Sequence, residues 1–174
     1  MMKATFVIAL LVMIQPAVVH ADAEMRFSGT LVEEPCSLAP EDTAIEIDFG
    51  TIVNKQLYSH QRTLGKPFTL HLMDCDLSLG DAFSIMFTGI EDIEQPGLIM
   101  LDPSSSAKGV AIGIESSQGD FLPVNILSPW KTLKEGKNEI NLQSYISASN
   151  ESLIDRSIIS GSIFAIFHLS INYN

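Results

Sequence analysis

Basic residues are scarce in this chain: ten Lys and Arg stand against 21 Asp and Glu, giving a formal net charge of −11. Nucleic acid and anionic lipid surfaces are both recognised through basic patches, so the balance argues against either as a partner. The acidity itself is that of a well-solvated surface and names no ligand. His60, His71 and His168 have no companion at metal-ligand spacing. No GxSxG elbow and no glycine-rich phosphate loop occurs. An enzyme therefore has no constellation to work with, and no cofactor, catalytic residue or metal site is expected. The acidic run Glu91-Asp92-Ile93-Glu94 ahead of Pro96-Gly97 falls between apolar stretches and reads as a solvated loop. The single tryptophan, Trp130, reads as partly buried core rather than as a platform for a sugar.

A long hydrophobic run is also missing. Residues 6–14 are apolar, with Lys3 before them, but Gln15, Pro16 and His20 interrupt the stretch well short of the roughly 20 residues a membrane-spanning helix needs. Charge, short apolar core and a small-residue exit make up the layout of a secretory signal peptide. Cleavage is expected after Ala21, with Ala23 as the alternative. Residues 1–21 are thus set aside, and the rest is exported and has no membrane span. Cysteine is nearly absent too: only Cys36 and Cys75 occur, both in the exported part. In an oxidising compartment an even count reads as a disulfide, with two buried free thiols as the alternative. Closing a loop of this length restricts the unfolded chain by about 4 kcal/mol in the loop-entropy picture.

After the leader, no stretch sustains a helical apolar period for three turns. Short alternating runs recur instead: Ile45-Ile47-Phe49, Phe68-Leu70-Leu72, Phe83-Ile85-Phe87, Val110-Ile112-Ile114, and Ile140-Leu142 with Ile146. Turn formers separate them, among them Gly65-Lys66-Pro67, Leu79-Gly80-Asp81, Asp102-Pro103-Ser104 and Gln118-Gly119-Asp120. Six or seven strands with this punctuation predict an all-β antiparallel sandwich of the immunoglobulin type, in one domain over residues 33–174.

The two ends of the exported chain deserve separate reading. The last apolar alternation places Ile163, Ala165, Phe167, Leu169, Ile171 and Tyr173 on one face, ahead of Asn174, with no later strand to pair beside it. Near the other end, residues 22–32 set Ala23, Met25, Phe27, Gly29 and Leu31 on one face of a further strand. That strand either pairs inside its own domain or completes another copy.

These features together resemble the pilins of chaperone-usher fimbriae, most closely the minor, adaptor-type subunits of type 1 and P fimbriae. The likeness rests on the exported start, Gly29 seven residues before Cys36, a second cysteine closing "LHLMDC", "FTG" at residues 87–89, and a tyrosine second from the end of an alternating strand. It covers essentially the whole exported chain. The resemblance implies an incomplete immunoglobulin-like sandwich that lacks its final strand and carries an N-terminal donor-strand extension, residues 22–32. It implies capture by a periplasmic chaperone, delivery to an outer-membrane usher, and assembly with neighbouring pilin subunits into a surface fimbrium that serves adhesion. Ile163, Ala165, Phe167, Leu169, Ile171 and Tyr173 would zip against a chaperone strand whose basic residues hold the Asn174 carboxylate, and Ala23, Met25, Phe27, Gly29 and Leu31 would be the donor positions. One departure stands out, because Phe164 and Ile166 occupy the opposite face of the last strand, which is usually polar in such pilins. The competing reading is a self-contained exported sandwich that binds a carbohydrate or protein as a monomer.

Overall fold

The computed structural model describes residues 25–29, 31 and 33–174. The expected signal peptide and the donor position Ala23 lie outside the described residues. The chain divides into two units, Met1–Val32 and Glu33–Asn174. In the first, residues 25–29 form no strand, and the apolar side chains of Met25, Phe27 and Leu31 are exposed. Among the described residues of this segment there is no strand, in keeping with a β-strand's need for a neighbour to stabilise it.

The second unit contains β1 (Ser37–Leu38), a 3₁₀ turn (Pro40–Thr43), α1 (Asn54–His60), β2 (Lys66–Cys75), β3 (Ala82–Thr88) and β4 (Val110–Ser116), followed by β5 (Lys131–Thr132), β6 (Gly136–Ala148), α2 (Asn150–Ile154) and β7 (His168–Tyr173). They form a four-stranded sheet in the order β1-β2-β6-β4 and a three-stranded sheet in the order β5-β3-β7. All pairings are antiparallel. The alternating runs become the facing sides of the two sheets. Leu70 and Leu72 of β2, Ile140, Leu142 and Ile146 of β6, and Ile112 and Ile114 of β4 meet Phe83, Ile85 and Phe87 of β3 in one buried core. A fully buried side chain of this size contributes roughly 1.5–3 kcal/mol, so this layer is what holds the sandwich together.

The disulfide joins Cys36 to Cys75, and its placement depends on a feature the alternation does not announce. Leu70 and Leu72 face the core, and strict alternation would turn Cys75 outward. The β2–β6 register shifts between Leu72 and Cys75, and Asp74 there takes a positive φ of 52°. The extra residue is a β-bulge, and it rotates Cys75 back into the core beside Cys36.

The outer face of the four-stranded sheet carries an ion pair. The Arg62 guanidinium donates to both Glu115 carboxylate oxygens, at 2.6 and 2.8 Å, and lies 3.4 Å from the centre of the Tyr145 ring. The hydrogen bond to Glu115 holds the Arg62 pKa above its usual value. Tyr145 in turn covers Gly113, where a Cβ would sit 2.2 Å from the ring, so only glycine admits this packing.

Three expectations need correction. The run Ile45-Ile47-Phe49 forms no strand, and the last strand is regular only over His168–Tyr173 rather than from Ile163. Both stretches keep apolar side chains but lack a partner strand, and alternation reports a buried face, not a neighbour to bond with. Trp130 is half-exposed rather than core.

Candidate functional site: an open edge beside an apolar groove

The two segments that failed to become strands face each other. Residues 45–52 and residues 158–167 form the walls of a groove of about 840 Å³, and its floor includes Leu57 together with Val110, Ile112 and Ser144 from the core-facing side of the four-stranded sheet. The groove therefore opens into the layer between the sheets. Asn54 ties the walls at one end, donating from Nδ2 to Ser160 Oγ (3.0 Å) and Ile158 O (3.4 Å). Lys66 Nζ donates to Asp48 O and holds the other wall to the start of β2.

Backbone polarity along the last strand is sharply divided. Ser162, Phe164 and Asn174 bond inward. Phe164 O accepts from Asp102 N–H at 2.8 Å, Ser162 O accepts from Ser106 and Ala107 N–H at 3.1 Å each, and Asn174 N–H donates to Ala82 O at 3.0 Å. Ser105 Oγ and Ser106 Oγ accept from Phe164 and Ser162 N–H. The odd-numbered residues Ile163, Ala165 and Phe167 make no backbone hydrogen bond to any described residue. In a strand, alternate residues direct N–H and C=O to the same edge. Ile163, Ala165 and Phe167 thus present a row of unsatisfied donors and acceptors along the groove while their side chains pack on the core. The ring of Phe167 meets that of Phe87 edge-on, with centroids 5.8 Å apart.

The remaining expected positions continue the same line. Leu169, Ile171 and Tyr173 lie in β7 opposite Phe87, Ile85 and Phe83. Burial pushes the Tyr173 phenol above its usual pKa, with the nearby Glu34 carboxylate adding to the shift. Asn174 O accepts from Asp81 N–H at 3.1 Å. Phe164 and Ile166 are exposed on the opposite face, 56% and 79% respectively. Among the described residues the other sheet edges are short or occupied: β1 and β5 have two residues each, and Ile99 and Leu122 bond along β4. The edge at residues 163–167 is left bare, a condition that folded domains ordinarily avoid.

The polar residues singled out in the sequence do local work. Asp42 Oδ2 lies 2.9 Å from His71 Nδ1. Asp92 Oδ1 accepts from the backbone of Glu94 and Gln95 at 3.0 Å each, and Glu91 Oε1 accepts from Gly97 N–H at 2.6 Å, so the acidic run builds its own loop. Sequence reasoning missed the second wall, residues 45–52, by reading it as a paired strand. It also missed Asn54, whose only signal is an amide side chain at the first turn of a short helix.

Fold and groove define an immunoglobulin-like sandwich with one strand missing. A family model described as fimbrial protein matches residues 25–174, and the chain belongs to this family. It is 33% identical over 132 residues to the uncharacterized fimbrial-like protein YfcP of Escherichia coli K12, covering 75% of this chain and 74% of that one. It is 23% identical over 150 residues to the fimbria A protein of Serratia marcescens, covering 86% and 83%. Among solved structures, the P pilus rod subunit PapA superposes with a TM-score of 0.69 at 18% identity, over 81% of this chain and 100% of that one. A subunit of a chaperone-usher pilus solved in connection with rod uncoiling gives 0.69 at 19% identity, over 92% and 100%. The fold is that of chaperone-usher pilus subunits.

Proposed function

We propose that this chain is a structural subunit of an adhesive fimbria, without enzymatic activity, whose groove is filled first by a strand of a periplasmic chaperone and then by the N-terminal extension of another subunit. The observation that carries the reading is the bare edge at Ile163, Ala165 and Phe167 running beside an apolar groove. A strand laid there satisfies the backbone row and buries alternate side chains, the physics of strand addition. The donor positions Ala23, Met25, Phe27, Gly29 and Leu31 play the reciprocal role towards the subunit ahead. Gly29 weakens a plain strand and suits a position that passes close over an acceptor's backbone. The route is export through the periplasm, capture along residues 163–173 with Asn174 held at the end, and delivery through an outer-membrane usher to the cell surface.

Within the fibre we assign a minor, adaptor-type position, on the resemblance described above. Deleting residues 23–31 tests the donor role. The shortened protein should still co-purify with its chaperone but fail to join the subunit ahead of it, so fibres lacking it, or ending at it, are the expected result. Normal incorporation of the deleted form would sink the donor assignment. In intact fibres, quantitative mass spectrometry should find this chain at well under the copy number of the shaft subunit, and equal abundance would refute the adaptor position.

A further inference from the structure

Alternation slips once in the segment that carries the bare edge. Ile159 exchanges both of its backbone hydrogen bonds with Lys108, at 3.1 and 3.2 Å. An unbroken antiparallel ladder counted from that pair sets Ser106 opposite Gly161. Ser106 N–H instead reaches Ser162 O, at 3.1 Å, so one residue is extra on the last segment, which is a β-bulge. Side chains record the same slip. Ahead of the bulge the even-numbered Ile158 packs on the core and Ile159 is exposed. Beyond it the odd-numbered Ile163, Ala165 and Phe167 pack on the core, and Phe164 and Ile166 are exposed.

Glycine makes room for the extra residue. A Cβ at Gly161 would stand 2.6 Å from Ala107 N and 2.7 Å from Ser106 C, besides overlapping Ser106 Oγ. Backbone cannot swing aside as the end of a side chain does, so the close approach admits only glycine. Serine hydroxyls hold the new phase beyond it. Ser106 Oγ accepts from Ser162 N–H at 2.8 Å. The buried Ser105 Oγ serves both backbone groups of Phe164, accepting from its N–H at 2.9 Å and donating to its C=O at 3.0 Å. Residues 102–105 form a turn, closed by Ser105 N–H to Asp102 O at 2.9 Å, and a turn has no ladder to offer. The hydroxyls stand in for one, since each can donate and accept.

The phase decides what the groove offers. Continued without a bulge, the Lys108–Ile159 ladder would turn the backbone of Ile163 and Ala165 inward, leave that of Ser162 and Phe164 to the groove, and exchange the faces of every side chain that follows. Resting on the strand-addition reading, we propose that Gly161 is a positioning residue for the acceptor edge. The bulge it permits, locked by Ser105 and Ser106, sets the register in which Ile163, Ala165 and Phe167 meet an added strand. An edge held in that register before the strand arrives has less ordering to lose on pairing.

Amide exchange followed by NMR on the chain from residue 22 onward, with and without a peptide copying residues 22–32, tests this. In the parent the peptide should slow exchange at Ile163, Ala165 and Phe167 and leave Ser162 and Phe164, already bonded, unchanged. Gly161→Ala should lower peptide affinity about tenfold, the scale of one buried hydrogen bond lost, and abolish the slowing at the three odd-numbered residues, while residues 110–116 exchange as in the parent. Deleting Gly161 removes the extra residue and leaves Ser162 opposite Ser106, so affinity and the odd-numbered pattern should both be kept. Ser105→Ala adds no bulk and should give the same loss as the alanine at Gly161, which decides the matter if that variant does not fold. Parent-like affinity and pattern in Ser105→Ala, or in a folded Gly161→Ala, would overturn the register role, and so would a deletion as damaging as the alanine. A parent in which the peptide slows none of the three residues would instead overturn the groove reading.

Discussion

A peptide copying residues 22–32 should raise the unfolding midpoint of the domain, residues 33–174, by roughly 10–20 °C. The shift follows from linkage. A ligand that binds only the folded state stabilises it by about 4 kcal/mol at a thousand times its dissociation constant, and one kcal/mol moves the midpoint of a domain of this size by several degrees. Such affinity is within reach of the site. Burying Met, Phe and Leu side chains contributes roughly 1.5–3 kcal/mol each before ordering costs, and the strand also satisfies the free backbone groups of Ile163, Ala165 and Phe167. Without the peptide the domain should unfold at low temperature and aggregate through its exposed edge. Ala165→Glu sets a carboxylate into the groove wall and should erase the shift. A domain equally stable with and without peptide, and soluble in both states, would favour the self-contained binding module over the pilin.

The sequence carried most of this architecture through period-two alternation. Leu70 and Leu72, Phe83 to Phe87, Ile112 and Ile114, and Ile140 to Ile146 all became facing sides of the two sheets, because a half-buried strand writes its burial into every second residue. Residues 45–49 carry the same pattern without a partner strand. Alternation could not distinguish a wall of an open groove from a strand in a ladder, since both bury one face. The bulge at Asp74 shifts register by a single residue, which leaves no compositional trace. The helices Asn54–His60 and Asn150–Ile154 are too short to show a helical period. The inward face shared by the odd-numbered residues from Ile163 to Tyr173 was legible, though the strand itself begins only at His168. What the sequence concealed was the opposing wall and the bonds of Asn54 that hold the two together.

Replacing both cysteines, Cys36→Ser with Cys75→Ser, should cost about 2–5 kcal/mol of stability, enough to unfold a domain whose core already lacks one strand's worth of burial. The loss has a local consequence as well as a global one. Both sulfurs are buried in the core, so two serine hydroxyls would take their place without the water they prefer. The disulfide also fixes the corner of the domain that holds the end of the last strand. Asp76 N–H reaches Pro35 O, Asp81 N–H reaches Asn174 O, and Asn174 N–H reaches Ala82 O. Freeing Cys36 should therefore loosen Tyr173 and Asn174 first. Hydrogen exchange read by mass spectrometry should report this as faster exchange at residues 76–82 and 168–174 than at residues 110–116, which pair with β6 away from the disulfide. Peptide binding should weaken in parallel, since the edge it pairs with is no longer held straight. Uniform acceleration across all three regions would mean that the disulfide contributes only global stability and has no part in presenting the edge.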